Sequence, residues 1–348
     1  MPGNTAHELT FPGLKGRSVF VTGGTGFVGS HFVERLLASG CTDIRCLVRT
    51  DPRFLGTLPV KHIRGDLFSG KALDEGLLNV DYVVHIAAVT RELSWSAFRE
   101  ANVDGTTELL SAVSRTAPDV KKVLITSSLA VVGRGTNQIA DESSPLLPVS
   151  LYGRSKKEME EAVALYTAKL PLVIVRPPAV YGPRESDIFT FFKTLNTGIC
   201  PIIGNGRNAA ISLVFVEDLV DGMIAALLSP AAIEQTYFLG SPEQYSWHEI
   251  RDASATALRR RVLTIPVPPV LIEPIGRASE FYGKITGTYP PLNREKAAEI
   301  RHACKMCDSS KARIEFGYSP STDLWKGIDT TISWYRSEGW LQAGGFRH

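Results

Sequence analysis

Tyr152 and Lys156 stand four residues apart, and Ser128 lies upstream at the end of an apolar run. Positions i and i+4 share one face of a helix, so the Lys156 ammonium can sit beside the Tyr152 phenol. A phenol titrates at about 10 and is a poor acid or base at neutral pH unless a cation lowers that value. Ser128 adds a hydroxyl that can donate to a carbonyl oxygen and polarise it. Together the three form a proton-transfer set, and a set of this kind needs an electron carrier.

The carrier has a site. Thr22-Gly23-Gly24-Thr25-Gly26-Phe27-Val28-Gly29 joins the apolar run Ser18 to Thr22 to a helical pattern carrying Phe32, Val33, Leu36 and Leu37. Glycine at a strand-to-helix junction lets the backbone turn tightly and approach a phosphate, while the helix start offers unpaired N–H groups and partial positive charge. Gly23, Thr25, Gly26, Phe27, Val28 and Gly29 are therefore candidates for holding a dinucleotide pyrophosphate. An acidic residue is expected about 20 positions further on, to accept from the adenosine ribose. Arg49 stands there instead. A guanidinium cannot accept those bonds but can pair with a 2′-phosphate, which favours NADP(H). NAD(H) is the alternative, because Asp51 is close enough to accept if the loop turns. Asp66 can accept from the adenine amino group, and Ala87 and Ala88 are small enough to let backbone lie along the cofactor.

These residues need a scaffold that collects strand ends. Apolar runs at Ser18–Thr22, Ile44–Val48, Val60–Ile63, Val80–Ile86, Lys122–Ser128 and Leu172–Arg176 alternate with helical patterns, notably Ser96–Ala117 and Leu151–Leu170. Near-continuous apolar strands alternating with helices predict a doubly wound parallel α/β sheet of Rossmann type. Ligands bind beyond the carboxyl ends of such strands, where almost every unusual residue falls. After Pro183 the rhythm breaks. The dinucleotide-binding domain is expected at residues 16–187 plus about 209–240, and a smaller C-terminal substrate-binding lobe at about 188–208 and 241–340.

The 348 residues suffice for such a core, and a net charge of +2 gives no field to draw in nucleic acid. The partner is then a small-molecule substrate. Five scattered cysteines are too few for a disulfide framework and suit a reducing, cytoplasmic setting. Cys304-Lys305-Met306-Cys307 has a zinc-like spacing but no second pair, so no metal is expected. Met1 to Lys15 lacks an apolar signal region. Val262 to Gly276 is apolar but contains four prolines and is too short to span a bilayer, so no transmembrane segment is expected. It reads as a packed, irregular lid or pocket wall, with attachment to a membrane surface the lesser reading.

The motifs resemble those of the extended short-chain dehydrogenase/reductase family, which includes NAD-dependent epimerases and dehydratases. Thr22 to Gly29 is similar to its glycine motif, Gly65-Asp66-Leu67 to its adenine motif and His85-Ile86-Ala87-Ala88 to its fourth-strand motif. Asn102-Val103-Asp104-Gly105-Thr106 resembles the helix with a structural asparagine, Ser127-Ser128 the strand before the active site, and Tyr152 to Lys156 the catalytic pair. Arg176 to Pro183 resembles the segment passing the nicotinamide. The resemblance implies a hydride passing between nicotinamide and a substrate carbon, with Tyr152 as general acid or base, Lys156 holding the ribose and tuning Tyr152, and Ser128 orienting the substrate oxygen. It also implies cofactor contacts at Leu67, Asn102, Thr126, Pro177 and Val180, and the helix Ser96–Ala117 offers a face for a homodimer.

Within the family, nucleotide-sugar epimerases carry an asparagine where this chain has Ala179 and a diphosphate-binding arginine where it has Ile211. Neither replacement can bind a diphosphate, so a nucleotide sugar is disfavoured unless Arg184 or Arg207 substitutes. The apolar replacements suit a hydrophobic ketone or alcohol. The tail, with Asn293-Arg294, Cys307 to Ala312 and Gly317-Tyr318-Ser319-Pro320, is similar to 3β-hydroxysteroid dehydrogenase-like and long-chain β-ketoacid reductase-like members, which places the chain nearest in look to the 3β-hydroxysteroid dehydrogenase and dihydroflavonol reductase branch. The expected substrate is a mostly apolar ketone or alcohol, steroid-, flavonoid- or β-ketoacid-like, with a nucleotide-sugar epimerase or dehydratase retaining tightly bound NAD as the alternative.

Overall fold

A computed structural model describes residues 11–342 apart from 93, 136–137, 205, 207–209 and 287–292, with residues 281–286 described by their backbone alone. Arg207 therefore lies outside the described residues. The first half of the chain forms β1 (Ser18–Thr22), α1 (Phe27–Ala38), β2 (Asp43–Val48), β3 (Lys61–Arg64), α2 (Gly70–Leu77), β4 (Tyr82–His85), α3 (Trp95–Arg99), α4 (Gly105–Thr116) and β5 (Lys122–Thr126). The second half adds β6 (Ile139–Ala140), α5 (Leu151–Ala164), β7 (Leu172–Arg176), β8 (Ala179–Tyr181), α6 (Phe189–Asn196), β9 (Ile199–Ile203), β10 (Ala210–Phe215), α7 (Val216–Leu228) and β11 (Gln235–Phe238). The remainder is β12 (Gln244–Ser246), α8 (Trp247–Leu258), β13 (Leu263–Val267), α9 (Ile272–Thr286), α10 (Arg294–His302), β14 (Met306–Cys307), α11 (Ser310–Phe316) and α12 (Leu324–Ser337).

Seven strands form one sheet in the order β11-β7-β5-β4-β1-β2-β3, and every pairing in it is parallel. The order reverses direction between β1 and β4, which is where a doubly wound sheet opens its crevice. The central strands are apolar along their length because helices cover both faces: Val19, Phe20, Val21, Val83, Val84, Val123, Leu124 and Ile125 are all fully buried. One core cluster joins this sheet to α1 and α7, and a second joins it to α2, α4 and α5. A third holds Phe192, Leu195, Cys200, Ile202, Ile250, Leu324, Ile332 and Tyr335, and so packs α6, β9, α8 and α12 together.

Two stretches differ from their sequence patterns. The single helix expected from Ser96 to Ala117 is α3 and α4 joined by a π-helical segment, Glu100–Asp104. That one wide turn carries Asn102, whose buried amide is drawn to neighbouring backbone, and π-bulges of this kind tend to mark functional positions. Val262 to Gly276 is not an irregular packed lid. It forms β13 paired in parallel with β9, a 3₁₀ turn at Pro269–Leu271 and the start of α9, and several of its large side chains face solvent.

Candidate active site

At the end of β1 the three glycines have separate tasks. Gly23 has φ +77°, and a Cβ there would lie 2.4 Å from the Ala87 nitrogen. A Cβ on Gly29 would lie 2.1 Å from the Gly23 carbonyl oxygen, so α1 can start this close to β1 only with glycine. A Cβ on Gly26 would meet only the Gly23 oxygen, at 3.3 Å, and the rest of that side is open space. No side chain caps α1 and its first turn carries no acid, so its leading N–H groups and its dipole face the crevice. Thr25 is half-buried, and Phe27 and Val28 pack their side chains back onto the core.

The crevice floor is a hydrogen-bonded relay. His85 Nδ1 lies 2.7 Å from Thr22 Oγ1, and its Nε2 lies 2.8 Å from Thr106 Oγ1. Thr106 donates its own proton to the Asn102 carbonyl, so Nε2 carries the imidazole hydrogen and Nδ1 accepts from Thr22. Burial drives the His85 pKa down to about 3, so the ring is neutral. Asn102 continues the chain of contacts. Its Oδ1 accepts from the Val89 N–H, and its Nδ2 donates to the Val89 carbonyl and to Ser155 Oγ on α5. All its polar atoms are engaged by protein, so it acts by fixing the strand-end loop and α5 in place.

Ser150 caps α5 by accepting from the Gly153 N–H, and Glu295 of α10 accepts from the Leu151 N–H at 2.9 Å. A Cβ on Gly153 would lie 2.5 Å from the Ala130 carbonyl, so glycine lets α5 approach the turn after β5. That approach brings the Tyr152 hydroxyl to Ser128, with the Tyr152 ring beside Phe98 at 6.3 Å between centroids. Burial pushes the Tyr152 phenol up to about 12, the Ser128 hydrogen bond pulls it down, and the carboxylate of Glu299 on α10 pushes it up further. The buried Lys156 ammonium donates to the Thr126 carbonyl at 2.8 Å and toward Met159 Sδ at 3.6 Å. It therefore makes its bonds at the end of β5, and the phenol is not lowered as the four-residue spacing alone would have it. Burial also lowers Lys156 to about 8, while Glu160 favours its charged form.

At the ends of β2 and β3, Arg49 is exposed immediately after β2. Asp51 accepts from the Arg53 N–H, and Asp66 accepts from Ser69 Oγ and the Phe68 N–H. The Ser69 hydroxyl holds the Asp66 carboxyl below the usual carboxylate range, with Arg49 adding to the effect. Leu67 packs against α4 at Gly105, Ala87 is half-buried and Ala88 exposed. Pro177 is buried with its carbonyl accepting from the Leu129 N–H, and Val180 lies half-buried on β8.

A nicotinamide dinucleotide fits these residues. The bare side of Gly26, the uncapped start of α1, and the buried Thr126 and Ser127 hydroxyls, which have no hydrogen-bond partner among the described residues, lie at the carboxyl ends of β1 and β5. Residues 19–240 match the model of the NAD dependent epimerase/dehydratase family. The chain belongs to that family. It is thus an NAD(P)-dependent enzyme of the extended short-chain dehydrogenase/reductase group. The family contains both oxidoreductases and epimerases.

Among its relatives is a protein of Caulobacter vibrioides named ceramide reductase, 28% identical over 93% of this chain and 96% of the relative. Another is the decarboxylating sterol-4-alpha-carboxylate 3-dehydrogenase of Candida albicans, 26% identical over 92% of this chain and 98% of the relative. The dTDP-glucose 4,6-dehydratase DesIV of Streptomyces venezuelae, solved with NAD and TYD, shares the fold with a TM-score of 0.75 at 24% identity, over 93% of this chain and 99% of that one.

On β8 and β10, Ala179 pairs with Leu213 and Ile211 lies two residues before Leu213, so Ala179 and Ile211 face the same side of the β12-β10-β8 sheet. Arg184 binds Glu34 through both carboxylate oxygens, at 2.7 and 3.0 Å, and also donates to Ser30. Arg91 pairs with Asp187, and Trp95 lies under the Arg154 guanidinium at 3.9 Å. Cys304 and Cys307 are buried free thiols, and no cluster fit for a metal exists among the described residues. Sequence reasoning missed Glu295 and Glu299, which reach the site from 140 or more positions away without a local signal. It also missed Gly153 and Ser150, although a serine before an apolar helix is a recognisable cap.

Proposed function

We propose that this enzyme is an NADP(H)-preferring reductase or dehydrogenase acting on the carbonyl or hydroxyl carbon of a mostly apolar small molecule. One observation carries the choice of substrate. Arg184, which could have served a diphosphate in place of the missing arginine at Ile211, is spent on Glu34 and Ser30. The names of two relatives, a ceramide reductase and a sterol dehydrogenase, support an apolar substrate. Arg49 in place of an acid supports NADP(H).

When bound, the cofactor supplies the hydride for reduction or takes it for oxidation. In the reducing direction Tyr152, protonated at neutral pH, gives its phenolic proton to the substrate oxygen, which becomes strongly basic as the hydride arrives. Ser128, already hydrogen-bonded to Tyr152, orients the same oxygen. Lys156, charged below about pH 8, is held at the end of β5 by the Thr126 carbonyl and lends positive charge to the crevice from there. A homodimer through the α4 side belongs to this reading.

The test is NADPH consumption with a panel of long-chain and polycyclic ketones. Tyr152→Phe should lower turnover by at least about a hundredfold, the usual scale for a lost general acid, and leave the NADPH dissociation constant nearly unchanged. No turnover with any ketone, or full turnover by the phenylalanine variant, would overturn the reading. The competing reading, a nucleotide-sugar epimerase or dehydratase, would instead retain NAD through purification and gain thermal stability from a UDP-sugar.

A further inference from the structure

The β9–β13 pair sets Leu263 beside Ile199, Ile265 beside Pro201 and Val267 beside Ile203. Alternation along each strand places these six on one face, whereas Cys200 and Ile202 point the other way into the third core cluster. A surface sheet ordinarily has a polar outer face. Here both faces of β9 are apolar, and among the described residues the outer one is uncovered: Ile199 is 42% exposed, Leu263 68% and Ile265 41%. The apolar surface continues through Val270 at 73%, Leu271 at 45% and Ile275 at 46%.

Three arginines lead into the same strand. Arg259, Arg260 and Arg261 join α8 to β13 and, with Thr197 and Thr256, line an open groove of about 970 Å³. None of their guanidinium groups has a hydrogen bond or ion pair among the described residues, and the neighbouring Asp252 carboxylate is taken by Arg251. With a whole-chain net charge of only +2, this is a local concentration of unpaired positive charge.

We propose that this face seats on an anionic lipid bilayer, with the apolar side chains entering the boundary between headgroups and acyl chains and Arg259 to Arg261 pairing with lipid phosphate. An apolar strip bordered by basic side chains is complementary to that surface in both respects. A two-fold contact between copies is disfavoured, because it brings the same patch together and adds no anionic group to pair with the arginines. The face also borders the catalytic side of the molecule. Gly276 of α9 packs against Asn293 at the start of α10, and α10 carries Glu299 toward Tyr152.

The experiment is flotation of the full chain with vesicles of phosphatidylcholine alone or mixed with phosphatidylglycerol. Binding should appear with the mixed vesicles and weaken as salt is raised. Changing Arg259, Arg260 and Arg261 together to Gln should weaken it about a hundredfold, each basic side chain near an anionic surface being worth roughly fivefold. Leu263→Ser with Val270→Ser should also weaken it, whereas Leu165→Ser, at an equally exposed leucine on α5's end, should not. These side chains are solvent-exposed apart from the half-buried Arg260, and an unchanged melting temperature certifies that each variant is folded. The proposal is overturned if mixed and plain vesicles bind alike, if neither set of substitutions weakens binding, or if Leu263→Ser with Val270→Ser changes only the oligomeric state. Flotation needs no cofactor or turnover, so its failure leaves the reductase reading standing, and the reverse holds too.

Discussion

Acid should expose the state of His85. The ring is 1% exposed, and burial holds its pKa at about 3 against 6.5 in the unfolded chain. The folded state keeps it neutral, so the unfolded state binds the extra proton. Stability from this source is complete above pH 6.5 and is lost as pH falls toward 3. In that window the slope is roughly 1.4 kcal/mol per pH unit, and integrating between pH 7 and pH 5 gives a loss of about 2 kcal/mol. The comparison is with His85→Gln, which keeps a donor and an acceptor but does not titrate. Urea midpoints of both proteins at the two pH values, followed by tryptophan fluorescence, give the difference between them, in which carboxylates common to both cancel. The variant should be less stable at neutral pH, and the gap should shrink by about 2 kcal/mol at pH 5. A gap independent of pH would refute a neutral, buried His85.

Three further outcomes are expected. Gly29→Ala puts a methyl 2.1 Å from the Gly23 carbonyl, so the turn must shift, and NADPH binding by calorimetry should weaken at least about a hundredfold while the far-ultraviolet spectrum is retained. Asn102→Ala leaves the Val89 N–H without its partner and frees Ser155, which should cost about 1–3 kcal/mol and lower both the melting temperature and kcat. Arg49→Ala should reduce kcat/KM for NADPH about tenfold or more, the value of a lost charge-assisted pair, and leave that for NADH nearly unchanged. Equal losses with both cofactors would remove Arg49 from cofactor choice.

The strand ends were legible because sequence and structure use the same signals there. Ser18–Thr22 and Leu172–Arg176 appear as strands with the bounds their apolar runs suggest, since strands buried on both faces have little choice but unbroken hydrophobicity. The glycine spacing was legible for a similar local reason: two of the three positions have no room for a methyl. The lysine was less so. Four-residue spacing sets a shared helix face but not a rotamer, and the Thr126 carbonyl competes for the ammonium. The π-helical turn at Glu100–Asp104 was hidden because it is driven by Asn102 reaching Val89 and Ser155, contacts outside its own segment. The exposed β13 was misread for the reverse reason. Apolar composition argues for burial, and nothing in the local pattern says which face lacks a cover.

The clamp between α1 and the turn after β8 has a consequence for how such an enzyme diverges. Arg184 sits at φ +74° with its guanidinium on Glu34, Ser30 and the Phe54 ring, and His31 bonds the Pro183 carbonyl. The phosphate-facing helix and the segment that follows the chemistry are thereby locked into one chassis. Variation in the parts outside the clamp can then accumulate without disturbing the hydride chemistry. A chimera that takes its α6–β9 and α8–α10 segments from a relative, and keeps Glu34 and Arg184 together, should inherit the donor's substrate and this chain's cofactor.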